Sequence, residues 1–354
     1  MDLFNYLKPI IYKFDPEFCH DMAIFALKHN LVPKFKTRKY DSLKVNLWDM
    51  EFSSPIGLAA GFDKNAVATD SIINQGFSFA EVGTVTPHPQ SGNPKPRLFR
   101  LVEDEAIINR FGFNNKGSEY MLRELVKQKN KNIIGVNIGR NKDSQDVYHD
   151  YTFLLKKFYN FASYIVLNIS SPNTQDLRNL QFGDQLKQLL ELIMTSRIKL
   201  ITEHQRKVPI LIKIAPDLNH EQLTSIAESA LNYQIDGIIV TNTTISRNTL
   251  HSNKKDESGG LSGKPLFNLS TQILGDIYKL TKGQITLIGS GGVSSGDDAY
   301  EKILAGASLI QLYSCLIYQG FGVIEKIKKR LDQLLHQNGY ANIQHAVGKN
   351  IDTE

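Results

Sequence analysis

Residues 210–244 read ILIKIAPDLNHEQLTSIAESALNYQIDGIIVTNTT, and the order of patterns in them decides the fold. Ile210–Ile214 is a short apolar run interrupted by Lys213. Residues 221–233 are amphipathic, and Gly237–Thr241 is apolar again. Near-continuous apolar runs are what strands of a parallel sheet show when helices cover both faces. Strand, helix and strand in this order make a βαβ unit. Working outward, the same unit recurs. Apolar runs at Ile56–Ala59, Phe79–Val82, Ile133–Asn137 and Tyr164–Asn168 precede it, and Ile285–Ile288 and Leu309–Leu312 follow. Amphipathic stretches such as Asp184–Leu200 and Asp297–Leu304 lie between the runs. Eight repeats predict an α/β protein, a closed (β/α)8 TIM barrel, with an open doubly wound sheet as the alternative. Residues 43–53 alternate (Leu43, Val45, Leu47) and end in Phe52, so a small hairpin is expected to close the barrel floor.

Residues 1–40 stand outside the repeat and read as a small N-terminal helical extension. Leu3, Phe4, Leu7, Ile10, Ile11 and Phe14 share one helical stripe, with Pro9 inside it as a candidate break. Asp15-Pro16-Glu17 reads as a helix start, with Asp15 as N-cap and Pro16 at the first helical position. Phe18, Met22, Phe25, Ala26 and His29 fall on one face of that second helix, and Pro33 marks its end. The expected division is a helical segment at 1–40, the barrel at 41–340 and a C-terminal tail at 341–354. Two stretches, Thr84–Gly117 and Thr243–Pro265, are expected to be long loops of the kind that carry function on a barrel.

The chain has 354 residues, 41% of them hydrophobic and 22% charged, which suits one folded barrel with additions. Its net charge of +5 comes from scattered lysines without interleaved aromatics, so no nucleic-acid partner is expected. Cys19 and Cys315 lie far apart and read as buried thiols in a reducing compartment, not as a metal or redox pair. No apolar stretch approaches the length of a membrane span. The start, MDLFNYLKPIIYKF, has neither the basic n-region of a secretory signal nor the Arg- and Ser-rich pattern of an organelle leader.

Polar residues gather where the strands stop: Lys64 after the first, Thr84 after the second, Asn137 after the third. Asn168, Ser170, Ser171, Asn173 and Thr174 follow the fourth, Lys213 the fifth, and Thr241, Asn242 and Thr243 the sixth. Each alone could be a cap or a turn residue. On a barrel these ends converge on one mouth. Lys213 interrupts an apolar strand, where an unpaired ammonium is costly. It is either a snorkelling side chain or a cation held beside an electron-rich group. Glycines at 259, 260, 263, 289, 291 and 292 bracket the last two strands, where barrels commonly hold a phosphate on backbone N–H groups. Asn109, Asn137, Asn168, Asn173 and Asn242 offer paired donors and acceptors, which suits a ring with amide edges such as a pyrimidine-dione. GxGxxG after the first strand and clustered metal ligands are missing, so a Rossmann domain and a metal site are not expected.

These motifs (GLAAGFDKN, EVGTVTPHPQ, NPKPRLFRL, NRFGFNN, NISSPNT, KIAPDL, TNTT, GGLSGKPL, GSGGVSSG and GASLIQLYS) cover nearly the whole chain. In them the chain resembles the dihydroorotate dehydrogenases of the membrane-associated, quinone-reducing type, class 2. The resemblance implies oxidation of (S)-dihydroorotate to orotate in de novo pyrimidine (UMP) biosynthesis, with one FMN per chain as hydride acceptor and a membrane quinone as final acceptor. It places Ala60, Gly61, Phe62, Asp63, Lys64, Thr84, Asn137, Asn168, Lys213, Thr241, Gly263, Gly291, Gly292, Tyr313 and Ser314 around the FMN. Lys213 would stabilise negative charge on the reduced ring. Lys64, Asn109, Arg110, Phe111, Gly112, Phe113, Asn168, Asn173, Asn242 and Thr243 match the substrate residues. Ser171 matches the base, with Thr174 and Phe113 shaping the proton route. His20, Arg100 and Tyr313 match the quinone site, at the inner end of a tunnel carried by residues 1–40. The resemblance further implies a peripheral contact with the cytoplasmic side of the inner membrane, as in bacterial members, and no obligate protein partner.

Three rival readings make different demands. An FMN barrel acting on a dihydropyrimidine or dihydrouridine would consume NADPH without forming orotate. A non-catalytic barrel with a helical binding module would take up no flavin. An aldolase-type lyase would form a borohydride-trappable Schiff base at Lys213.

Overall fold

The computed structural model describes residues 3–352 apart from Lys36, Lys129, Gln175 and Thr249. In chain order its strands are β1 (Val45–Leu47), β2 (Met50–Phe52), β3 (Ile56–Leu58), β4 (Phe79–Val85), β5 (Leu98–Leu101), β6 (Ala106–Asn109), β7 (Ile133–Ile138), β8 (Tyr164–Asn168), β9 (Ile210–Ile214), β10 (Gly237–Val240), β11 (Gly260–Gly263), β12 (Thr286–Ser290) and β13 (Ala307–Leu312). The helices are α1 (Leu3–Ile11), α2 (Pro16–Lys28), α3 (Thr69–Ile73), α4 (Ser118–Val126), α5 (Val147–Phe158), α6 (Gly183–His204), α7 (His220–Asn232), α8 (Phe267–Leu280), α9 (Gly296–Leu304), α10 (Ser314–Gln319) and α11 (Gly322–Gln337).

The eight apolar runs of the sequence are eight parallel strands. β3, β4, β7, β8, β9, β10, β12 and β13 close in that order into a barrel, so the open-sheet alternative falls. Every residue of β8 and β9 is buried, because helices cover one side and the barrel interior takes the other. The helices start where side chains can cap them. Asn219 and Gln222 form a capping box on α7, and Ser295 and Asp298 form one on α9.

The expected floor hairpin is present. β1 and β2 pair antiparallel, and the turn residues Trp48 and Asp49 both have positive φ, 53° and 58°. Trp48 Nε1 donates to the Asp236 carbonyl at 3.3 Å, which ties the hairpin under the barrel. Above it, aromatic rings plug the interior. A Cβ on Gly57 would lie 2.3 Å from the Phe79 ring, and one on Gly135 would lie 2.2 Å from the Tyr164 ring. These two glycines make room for the plug, so the interior turns polar only above it.

The two stretches expected as long loops hold strands. β5, β6 and β11 form a three-stranded antiparallel sheet outside the barrel, with Phe99 opposite Ile108 and Leu261 opposite Ile108 on its other side. The strands are only four residues long, below the length at which alternation is distinctive. The hairpin was nonetheless written in LFRLVEDEAIIN, two apolar runs around a charged turn in which Glu105 takes φ 47°.

α1 runs through Pro9 without splitting. Leu3 belongs to α1, but its side chain lies outside the described residues. The Asp15 side chain caps α2 by accepting from Phe18 N at 2.9 Å. α2 docks through Glu17, whose carboxylate accepts from Arg97 Nη2 at 2.8 Å and Nε at 3.2 Å. Much of the expected apolar stripe faces outward: Leu7, Ile10, Phe14, Phe18, Met22 and Phe25 are 43–55% exposed. Among the described residues no helix is long and apolar enough to cross a membrane.

Candidate active site

The strand ends open into one cavity of about 1120 Å³ that continues beneath α1 and α2. One end of it is polar. Pairing sets Asn168 on β8 opposite Lys213 on β9, and Asn137 on β7 opposite Gly83 on β4. Asn168 Nδ2 donates to Thr84 Oγ1 at 2.8 Å and to Asn137 Oδ1 at 3.2 Å. Asn242 Nδ2 donates to Asn168 Oδ1 at 3.3 Å and to Ser170 Oγ at 3.0 Å, and Asn173 Nδ2 donates to Asn109 Oδ1 at 3.4 Å. The asparagines therefore form two linked sets, Asn137–Asn168–Asn242 and Asn109–Asn173, and all of them but Asn137 line the cavity.

Lys213 is 6% exposed and lines the cavity. No hydrogen bond or ion pair to its amine occurs among the described residues. Burial lowers its pKa, partly offset by the charge of Glu81. Glu81 is the residue that sequence reasoning passed over. It is fully buried in the barrel interior, where Asn137 Nδ2 donates to it at 2.8 Å and Gln311 Nε2 at 2.6 Å. Its signal was the one used for Lys213, a charge inside an apolar strand. Arg178 was also missed. It holds two loops together by donating to the Ser170 carbonyl at 3.2 Å, the Thr243 carbonyl at 3.0 Å and Asp217 at 2.9 Å.

Ser171 is 6% exposed and lines the cavity, and its Oγ accepts from Asn173 N at 3.3 Å. Phe113 lines it as well, with φ 56°, on a loop held by Asn115, whose Nδ2 donates to the Phe113 carbonyl at 2.7 Å. At the glycine-rich end Gly263, Gly291 and Gly292 have φ of 101°, 109° and 78°, and they line the cavity with Tyr313 and Ser314.

The passage beneath α1 and α2 begins at Lys64. Its Nζ lies 3.4 Å from His20 Nε2 and 4.3 Å from the centre of the Phe111 ring. Burial pulls Lys64 down to about 8. Burial and the Lys64 charge together hold His20 well below the usual histidine range. Arg100 lines the same passage, its guanidinium 4.4 Å from the Tyr12 ring centre and its Nε buried without a partner.

Of the residues picked from sequence, Ala60, Gly61, Phe62, Lys64, Thr84, Asn109, Phe111, Gly112, Asn168, Asn173, Thr241, Asn242 and Thr243 also line this cavity. Four do not. Asp63 lies beneath the loop that presents Lys64 and accepts from the backbone N–H of Asn65, Val67 and Ala68. Asn137 stands behind Asn168. Arg110 turns away, pairing with Glu257 at 2.7 Å and stacking over Phe99. Thr174 is buried off the cavity. Among the described residues no cluster of side chains could hold a metal.

A family profile described as dihydroorotate dehydrogenase matches residues 42–335. Relatives named dihydroorotate dehydrogenase (quinone) include that of Parvibaculum lavamentivorans, 47% identical over 99% of this chain and 100% of the relative. That of Azorhizobium caulinodans is 45% identical over the same shares. Among solved structures, DHODH of Eimeria tenella in complex with ferulenol superposes with a TM-score of 0.91 at 42% identity. It covers 95% of this chain and 96% of that one. The profile and these relatives agree with the geometry of the mouth, and the chain belongs to the dihydroorotate dehydrogenase family.

Proposed function

We propose that this chain oxidises (S)-dihydroorotate to orotate in de novo pyrimidine biosynthesis and passes the electrons to a membrane quinone (EC 1.3.5.2). The observation that carries this reading is the single cavity. A rim of asparagines, Ser171 and Lys213 lie at one end, and His20, Arg100 and an apolar passage between two surface helices lie at the other.

The residues present fit one FMN. Lys213 offers the cavity an unpartnered amine, and the glycine turn at Gly291 and Gly292 lines it. A bound FMN would supply a hydride acceptor for C6 of the substrate and a carrier able to pass electrons to a quinone. Lys213 supplies fixed positive charge where negative charge would develop in a water-poor site. The carboxamides of Asn109, Asn173 and Asn242 match the amide edges of the pyrimidine ring and fix its orientation. Thr243 Oγ1, buried without a partner, is free to join them. Ser171 Oγ takes the proton from C5, which the adjacent carbonyl makes acidic. A serine is a poor base alone, so it relays that proton onward, with Thr174 and Phe113 shaping the route.

In this reading residues 1–40 form the membrane and quinone-tunnel segment, residues 41–340 the FMN barrel and 341–354 a tail. The exposed apolar faces of α1 and α2 support a peripheral contact with the cytoplasmic side of the inner membrane. A substrate panel tests the function. Purified protein should carry flavin near one per chain and form orotate from dihydroorotate with a soluble quinone. NADPH-dependent reduction of a dihydropyrimidine's parent ring, without orotate formation, would select the rival reductase.

A further inference from the structure

We propose that Lys302 and Ser270 form a positioning pair behind the Gly291–Gly292 peptide, aiming its N–H at the phosphate of the cofactor without touching the cofactor themselves. The inference rests on FMN occupying the cavity. Lys302 projects from α9 and is fully buried. Ser270 Oγ, in the first turn of α8, is its hydrogen-bond partner at 2.6 Å, and the centre of the Phe267 ring lies 5.2 Å away. A buried ammonium served by one hydroxyl and one ring face is costly unless an anion lies near. Burial, opposed only in part by the charges of Glu301 and Asp298, pulls this amine down to about 7.

The chain of contacts runs toward the mouth. Ser270 Oγ donates to the Gly291 carbonyl at 2.9 Å, alternating with the Phe267 carbonyl of its own helix at 3.0 Å. The Gly291–Gly292 bond is not among the cis peptides of the chain. In a trans peptide the C=O and the following N–H point in opposite directions. With the Gly291 carbonyl fixed on Ser270, the Gly292 N–H points away from α8, and Gly292 lines the cavity. No acceptor for that N–H occurs among the described residues. A side chain is excluded at Gly292 and strained at Gly291, whose φ is 109°. A Cβ on Gly292 would lie 2.5 Å from Phe267 N, and one on Gly291 would lie 3.0 Å from Ser270 Oγ. The pair thus fixes one donor and places positive charge behind the start of α8, where an anion is already favoured.

The test compares two flavins that differ only in the phosphate. Full-length holoenzyme is equilibrated with graded riboflavin, and the ratio of FMN to riboflavin retained after gel filtration is measured for the native chain, Lys302→Met and Ser270→Ala. The expected result for Lys302→Met is a shift of about tenfold toward riboflavin, with a smaller shift in the same direction for Ser270→Ala. An unchanged ratio in Lys302→Met overturns the proposal. So does equal loss of both flavins, which is what a mere tether between α8 and α9 would give. Should Lys302→Met not fold, an unchanged ratio in Ser270→Ala overturns it in the same way. A native chain that holds no flavin at all would instead overturn the FMN reading beneath it.

Discussion

Ser171 meets one protein partner, the Asn173 N–H, and no histidine, carboxylate or amine shares its oxygen among the described contacts. That isolation suits a base whose proton leaves by relay. Ser171→Ala should slow flavin reduction by dihydroorotate by about 10²–10⁴-fold with the flavin retained. Near-native reduction in stopped-flow absorbance would remove Ser171 from the role. Lys213→Ala removes the cationic amine that lines the mouth. It should lower flavin content, or lower the reduction rate by about 10²–10³-fold, and full occupancy with a full rate would refute its assignment. Residues of this kind were legible in the sequence because they interrupt apolar strands or follow them directly. Arg178 was not, because its partners come from loops that only the closed barrel brings together, and Glu81, although it interrupts an apolar strand as Lys213 does, finds its partners on distant strands in the same way. Gln311 reaches Glu81 from 230 positions away. Arg110 shows the converse: it sits in the matched motif, yet its guanidinium points to Glu257 in the loop that leads into the outer sheet.

The eight strands of the barrel could be read from apolar runs, since burial on both sides leaves an unmistakable composition, and the floor hairpin from alternation, since only one of its faces is buried. The outer sheet was harder to read: the apolar runs of β5 and β6 around a charged turn carry a hairpin signal, but four-residue strands next to prolines look like loops and β11, GLSG, has no apolar run. The helix pair was also legible, but not how it docks. Glu17 provides that link. Burial pushes its carboxyl up, and the hydrogen bonds and charges of Arg97 and Lys95 more than offset this, so its pKa lies below the usual glutamate range. A depressed folded value means that Glu17 stabilises docking above the unfolded carboxyl range and loses that contribution as pH falls through the folded value. Proteolysis in the segment after α2 should therefore rise as the pH drops below about 4.5. Glu17→Ala should produce the same susceptibility at neutral pH, costing about 3–5 kcal/mol by stranding Arg97. Equal protection in variant and native chain would contradict this. On the outward face, Phe14→Ser with Phe18→Ser should weaken binding to lipid vesicles more than tenfold, since each ring contributes roughly 1.5–3 kcal/mol when buried. Flavin reduction by dihydroorotate should not change. Undiminished flotation with vesicles would make this face something other than a lipid contact.

At the scale of the molecule, the barrel carries the residues proposed for flavin and substrate, while α1 and α2 line the far end of the same cavity. The two halves of the reaction should therefore separate. A chain beginning near residue 41 is expected to keep reduction by dihydroorotate and to lose most turnover with a long-chain quinone. His20 and the roof of the passage leave with the segment. The central claim, that one cavity joins dihydroorotate oxidation to quinone reduction, meets its most direct test in a two-stage anaerobic experiment on the intact chain. Mixing with dihydroorotate should bleach the flavin absorbance and yield one orotate per flavin, and a soluble quinone added afterwards should restore the colour. Flavin that stays oxidised with dihydroorotate, or bleached flavin that quinone does not reoxidise, would contradict the account.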